Sequence, residues 1–229
     1  MRTGILANSL PAALKIYDEV KTVPDCETFI LLCPTPGESR RRSLLKHLAR
    51  ALLRRGGLKS LRLIFSRRVF LFQQPLDHPE TLRRLKALEL DVGLHKAGVI
   101  YREPTINCFR LGILNPHIGI LPAYRGRSVM EWALLEGGPI GITLFFIDSG
   151  IDTGERIVFS EEADIAPYSS IEKAKQHLFD LDAIFFRRAL EMLRQRDFKF
   201  KLNDGSGRRY YVMSRLFRGV VKKLLEANR

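Results

Sequence analysis

The sequence predicts an α/β chain: a mostly parallel sheet with helices on both faces, followed by a small C-terminal hairpin and helix. Three observations carry this. Apolar runs of strand length alternate with segments of helical period from residue 3 to about residue 195, the pattern of parallel strands joined by crossover helices. The run at residues 28–33 is continuous rather than alternating, as in a strand covered on both sides. Near the end, the turn residues Asn203-Asp204-Gly205-Ser206-Gly207 separate two strand-like stretches, 198–202 and 209–213, and suggest a hairpin. With 229 residues, 45% hydrophobic and 28% charged, the chain fits one large domain with an appendage and excludes disordered or fibrous classes. The expected division is residues 1–195 and 196–229.

The elements follow in order. Residues 3–6 read as the first strand and 10–20 as a helix with Leu10, Ala13, Leu14 and Tyr17 on one face. Residues 39–55 repeat leucine at helical spacing beneath Arg40, Arg41, Arg42, Lys46, Arg50, Arg54 and Arg55, and end at Gly56-Gly57. Residues 69–72 read as a strand; Asp77 caps a helix with Pro79 in its first turn that runs to about residue 88, before the apolar run 90–94. Residues 111–114 form a strand that leads directly into Asn115. A helix at 127–135, strands at 140–147 and 156–159, and a long helix opened by a Ser169/Glu172 capping box and reaching about residue 194 complete the alternation. Leu216, Val220 and Leu224 share a face of a basic segment at 214–225.

The formal net charge is +13. It suits a polyanionic partner, whether nucleic acid, a phosphorylated substrate or an acidic membrane surface, and it equally suits solvated helix faces. No stretch approaches the roughly 20 apolar residues of a membrane-spanning helix, and the interrupted, amphipathic N-terminus reads as structure rather than a signal peptide. Three cysteines without CxxC spacing, one of them in a buried-looking strand, point to a reduced, cytoplasmic setting.

The centre of the chain reads NPHIGILPAYRG and then FFIDSGIDTGERI. These pieces resemble the folate-dependent formyltransferase family, which includes glycinamide ribonucleotide, methionyl-tRNA and sugar N-formyltransferases. The Asn-x-His of that family falls on Asn115 and His117, its Leu-Pro-x-Tyr-Arg-Gly on Leu121, Pro122, Tyr124, Arg125 and Gly126, and its Asp-Thr-Gly on Asp152, Thr153 and Gly154. The resemblance implies a Rossmann-like catalytic domain, 10-formyltetrahydrofolate as formyl donor, and Asn115, His117 and Asp152 as catalytic residues. It further implies a pterin held by a loop containing Val92, Gly93, Leu94 and His95 and by a second containing Asp148, Ser149, Gly150 and Ile151. Asn8, Ser9, Tyr124 and Arg125 are the matching acceptor-side positions, and no metal is implied.

Physical chemistry supports that trio. When an amine attacks a formyl carbon, negative charge develops on the formyl oxygen, and preorganised donors aimed at it supply a large catalytic term. The Asn115 amide and a protonated His117 are such donors; Asp152 can keep the imidazole charged and take or relay the proton that the amine must lose. Side chains at Asn-x-His spacing in an extended segment point to one side.

Three positions depart from many relatives: Ile118 and Gly119 stand where Pro-Ser or Gly-Ser is common, and Phe145 where a second histidine is common. A shifted acceptor pocket follows. About 35 residues after position 195 are too few for the separate C-terminal barrel of methionyl-tRNA formyltransferases, which favours a small amine such as an amino sugar on a nucleotide. Methionyl-tRNA and glycinamide ribonucleotide stay open as acceptors. So does a different class: a chain that keeps the fold with weak or lost catalysis and binds nucleic acid or an anionic membrane surface. A homodimer stays open under either reading.

Overall fold

A computed structural model describes residues 1–33, 66–150, 152–195 and 198–227. The expected basic helix at 39–55 and the site residue Ile151 lie outside the described residues. The chain forms two compact units, Met1–Leu114 and Asn115–Arg229.

In the first unit, β1 (Arg2–Ala7), β2 (Glu27–Leu32), β3 (Val69–Leu71), β4 (Leu90–Lys96) and the beginning of β5 (Phe109–Ile118) lie in the order β3-β2-β1-β4-β5, every pair parallel. Helix α1 (Leu10–Val20) covers β1 and β2, burying Leu10, Ala13, Leu14, Ile16 and Val20. The central strands explain the continuous apolar runs, because Ile5, Leu6, Ile30, Leu31, Val92 and Leu94 are buried. Each such side chain contributes roughly 1.5–3 kcal/mol. Helix α2 (Pro79–Lys86) is capped by His78, whose Nδ1 accepts from the Glu80 N–H at 3.3 Å, and not by the expected Asp77. A short α3 (Glu103–Ile106) precedes β5.

The second unit holds the Asn115–Ile118 end of β5, β6 (Tyr124–Gly126), α4 (Val129–Glu136), β7 (Gly141–Phe146), β8 (Arg156–Glu162), α5 (Ile171–Asp180), α6 (Asp182–Leu193), β9 (Lys201–Leu202), β10 (Arg208–Tyr210) and α7 (Arg215–Ala227). Strands β7, β8 and β9 pair antiparallel. The mostly parallel α/β architecture therefore holds, with its antiparallel part in the second unit. The long helix expected after residue 169 is two helices, because the backbone tightens to an i→i+3 bond, Leu181 N–H to the Leu178 carbonyl at 3.2 Å. Its cap is Ser170, one residue later than expected, with Oγ accepting from the Lys173 N–H at 3.1 Å.

The C-terminal hairpin does not form. Strand β9 pairs with β8, and β10 pairs parallel with β6, Tyr210 opposite Gly126. The reason is close packing: a Cβ on Gly207 would lie 1.5 Å from the Pro122 carbonyl oxygen, and one on Gly126 would lie 2.2 Å from that of Tyr210. Two glycines let the tail lie flat on the LPAYRG segment, where Tyr210 stacks on Tyr124 at 5.4 Å and buries its hydroxyl against Glu136 at 2.7 Å. Burial, and then the Glu136 carboxylate, push the Tyr210 hydroxyl up to about 12.

Candidate active site

Strand β5 runs through Asn115 and His117 instead of ending before them, so both side chains project from one extended segment. His117 is buried and anchored through Nε2. Nε2 lies 2.8 Å from the Tyr124 carbonyl oxygen, which only accepts, so Nε2 carries a proton. Nδ1 faces Asp152 Oδ2 at 3.5 Å. Phe145 closes one side of the histidine with its ring edge-on at 6.4 Å and is itself buried against Leu121 and Ile157.

The loop after His117 is set by neighbouring main chain. Thr143 Oγ1 donates to the Gly119 carbonyl at 2.7 Å and accepts from the Leu121 N–H at 3.0 Å, and the Gly119 N–H reaches the Gly141 carbonyl at 2.9 Å. Gly119 leaves room for the histidine bond, since a Cβ there would stand 2.6 Å from the Tyr124 oxygen and 2.8 Å from His117 Nε2.

Asp152 is held in a conformation that L-residues rarely adopt, φ +53°. Three contacts enforce it. The Gly126 N–H donates to its Oδ2 at 2.9 Å, Asn203 Nδ2 donates to its carbonyl at 3.3 Å and to that of Gly154 at 3.2 Å, and Asp148 braces the loop by accepting from the Gly150 N–H and the Thr153 hydroxyl, each at 2.9 Å. Backbone strain kept in place by surrounding bonds is common where chemistry is done. Asp148 thus holds the loop, with Ser149 and Gly150 in the bend it closes.

Asn115, Pro116, His117, Ile118, Gly126 and Lys175 are among the walls of an open cavity of about 230 Å³. The Asn115 side chain makes no hydrogen bond to another described residue, so its N–H groups remain for a ligand. Lys175 is the cation in that wall, and its Nζ binds Oε1 of the wholly buried Glu131 at 2.5 Å; Glu131 Oε2 has no partner among the described residues. Lys175, Glu131 and Asn203 escape a reading of the sequence, as do the Tyr124 carbonyl and the Gly126 N–H. Asn203 looked like any turn residue. Tyr124 contributes its carbonyl here, its ring being packed with Tyr210 and near Trp132. Arg125 lies beside it on β6, with its Nε buried and without a partner among the described residues.

The residues expected to form the first pterin loop, Val92, Gly93, Leu94 and His95, lie in a strand rather than a loop. Val92, Gly93 and Leu94 lie inside β4, paired with β1 on one side and β5 on the other, so their backbone groups are committed to the sheet. Val92 and Leu94 are core residues, and a Cβ on Gly93 would press on Ile113 at 2.9 Å. The loop starts at Ala97, whose carbonyl accepts from Asn8 Nδ2 at 2.9 Å; Ser9 stands at the N-cap of α1. His95 is no cation for an acidic ligand, because burial and then the neighbouring Lys96 push it down to about 4, and its Nδ1 meets the Tyr101 hydroxyl at 2.8 Å.

His95 makes stability pH-dependent. Its folded value lies below its ordinary 6.5, so between the two the unfolded chain binds a proton that the folded chain refuses. The His95 contribution to stability should be full above pH ~6.5 and be lost as pH drops toward ~4, by up to about 3 kcal/mol. Thermal unfolding across that range should show this fall, and His95→Gln should flatten it.

A histidine–carboxylate pair beside an open amide, at the end of a parallel strand, is a layout that can stabilise a developing oxyanion and move a proton. Open parallel sheets bind ligands at such strand ends. The chain belongs to the Formyl transferase family, whose profile matches residues 70–190. It is 31% identical over 135 residues to the methionyl-tRNA formyltransferase of Chloroflexus aggregans, covering 58% of this chain and 43% of that protein. It is 34% identical over 95 residues to the cytosolic 10-formyltetrahydrofolate dehydrogenase of Xenopus tropicalis, covering 41% of this chain and 10% of that protein. The chain thus spans less than half the length of these relatives. Among solved structures, a sugar N-formyltransferase from a Shewanella species superposes with a TM-score of 0.66 at 16% identity, covering 98% of this chain and 87% of its own. PseJ from Anoxybacillus kamchatkensis, solved with a formamido UDP-sugar and tetrahydrofolate, gives 0.55 at 18% identity over 100% of both chains. At these identities the likeness is one of fold.

Proposed function

We propose that this chain transfers the formyl group of 10-formyltetrahydrofolate to a primary amine on a small acceptor, such as an amino sugar carried on a nucleotide. The carrying observation is His117, pinned by the Tyr124 carbonyl at 2.8 Å and turned toward Asp152 at 3.5 Å beside the open Asn115 amide. A cavity of about 230 Å³ with free amide donors fits the reacting ends of a folate formyl group and an amine. When bound, the folate supplies an activated formyl carbon. Asn115 donates to the formyl oxygen as charge builds there. His117 and Asp152 receive the amine proton and return it to the departing folate nitrogen, so that one C–N bond forms, one breaks, and no net charge is left behind.

The acceptor reading rests on Lys175. A lysine already neutralised by the buried Glu131 offers directed N–H donors without net positive charge, which suits sugar hydroxyls better than a phosphate. The sugar N-formyltransferase and the PseJ complex with a formamido UDP-sugar among the structural neighbours support the same reading.

The test is calorimetric titration with a folate, and formyl-transfer assays across nucleotide-linked amino sugars, glycinamide ribonucleotide and methionyl-tRNA. Folate binding that weakens in Asn115→Ala, with turnover of an amino sugar, is the expected result. Absence of both folate binding and transfer sinks the reading; turnover of methionyl-tRNA or the ribonucleotide alone replaces the acceptor.

A further inference from the structure

Helix α7 carries a wider apolar arc than the protein covers. At about 100° per residue, Leu216, Val220, Leu224, Phe217, Val221 and Leu225 spread in that order over roughly half its circumference. One edge of the arc packs inward: Val221 and Leu225 are buried, and the helix rests on α4 and α5. The other edge faces solvent, with Leu216 77%, Phe217 44% and Val220 42% exposed, although the Phe217 ring also touches Trp132 at 5.9 Å. Just before the helix, Tyr211 and Val212 are exposed as well.

Basic side chains edge this apolar strip. Lys223 lies one turn beyond Val220 on the exposed edge, Arg215 opens the helix, and Arg209 stacks its guanidinium over Tyr211 at 5.3 Å. Arg218 and Lys222 extend the basic side, paired with Glu172 and Glu226. We infer that α7 and the Tyr211-Val212 segment dock on an anionic lipid surface, the helix lying in the headgroup plane with Leu216, Phe217 and Val220 inserted.

The chemistry selects that occupant. An apolar edge flanked by lysine and arginine matches an interface of acyl chains beneath anionic headgroups. A nucleic acid offers the phosphates but no apolar layer for Leu216 and Val220. A second copy would bring the same basic rim against this one, in a chain of net charge +13. Among the described residues no helix is long and apolar enough to cross a membrane, so contact would be peripheral.

The test is co-sedimentation of the full chain with vesicles of phosphatidylcholine alone or mixed with phosphatidylglycerol, at low and high salt. Binding is expected on the anionic vesicles only, weakened by salt. It should fall at least about tenfold in Leu216→Asp/Val220→Asp with melting temperature and folate binding unchanged. Both positions are solvent-facing, so the double variant should fold; Leu216→Ser/Val220→Ser repeats the comparison without added charge. Failure to bind anionic vesicles overturns the inference, as does equal binding by either double variant. It is also overturned if the same substitutions abolish tRNA binding or a dimer, seen by filter retention or light scattering, while vesicles are not bound.

Discussion

Asp152→Asn is expected to lower kcat/KM for formyl transfer about 1000-fold while leaving the fold in place. The amide keeps an oxygen for the Gly126 N–H, and asparagine is among the few residues that tolerate the left-handed backbone found here, φ +53°. What is lost is the negative charge facing His117 Nδ1 and the proton acceptor of the pair. The melting temperature should move by no more than a few degrees. The measurement is tetrahydrofolate release under steady state; a variant within tenfold of wild type would falsify the relay.

Gly119→Ala should fail for a different reason. Its new methyl meets the Tyr124 carbonyl oxygen and His117 Nε2, the two ends of one hydrogen bond. Main chain fixed by Thr143 on one side and a buried ring on the other cannot both yield. We expect a loss of about 1–3 kcal/mol in stability and a fall of about 100-fold in turnover as the imidazole rotates off its anchor. Ile118→Ser, next door in the cavity wall, should retain wild-type melting and alter acceptor KM instead. If Gly119→Ala melts and turns over like wild type, the Nε2 anchor has no role.

These two sites mark how far the sequence could be read. Residues 10–20 and the runs at 28–33 and 140–147 were legible because the period of their apolar residues is decided by burial. Asn115, His117 and Asp152 stand out in the sequence because they match the family's motif around LPAYRG, and the structure sets His117 facing Asp152 and lines one cavity with Asn115 and His117. The extent of β5 was not: Pro116 reads as a strand end, yet β5 continues through it to Ile118, past Leu114, the last residue paired with β4. The pairing of β10 with β6 was hidden too, since three-residue strands carry no period and their partners lie more than 80 positions apart. Caps were misplaced by one residue: at Ser170 because the serine before it caps equally well, and at His78 because its Nδ1 takes a place for which Asp77 is the commoner residue type. The groups that position the trio are largely main chain, the Tyr124 carbonyl and the Gly126 N–H, and main chain leaves no trace in residue identity.

The strap formed by Asn203 bears on the order in which the protein becomes competent during synthesis. Asn203 follows Asp152 by 51 positions, and a chain emerging from the ribosome presents its N-terminal residues first. A growing chain that already contains β7, β8 and the Asp152 loop would still lack the side chain that fastens that loop and the strand that lies on Gly126. The loop around Asp152 is therefore fastened only after residues 203–210 have been made.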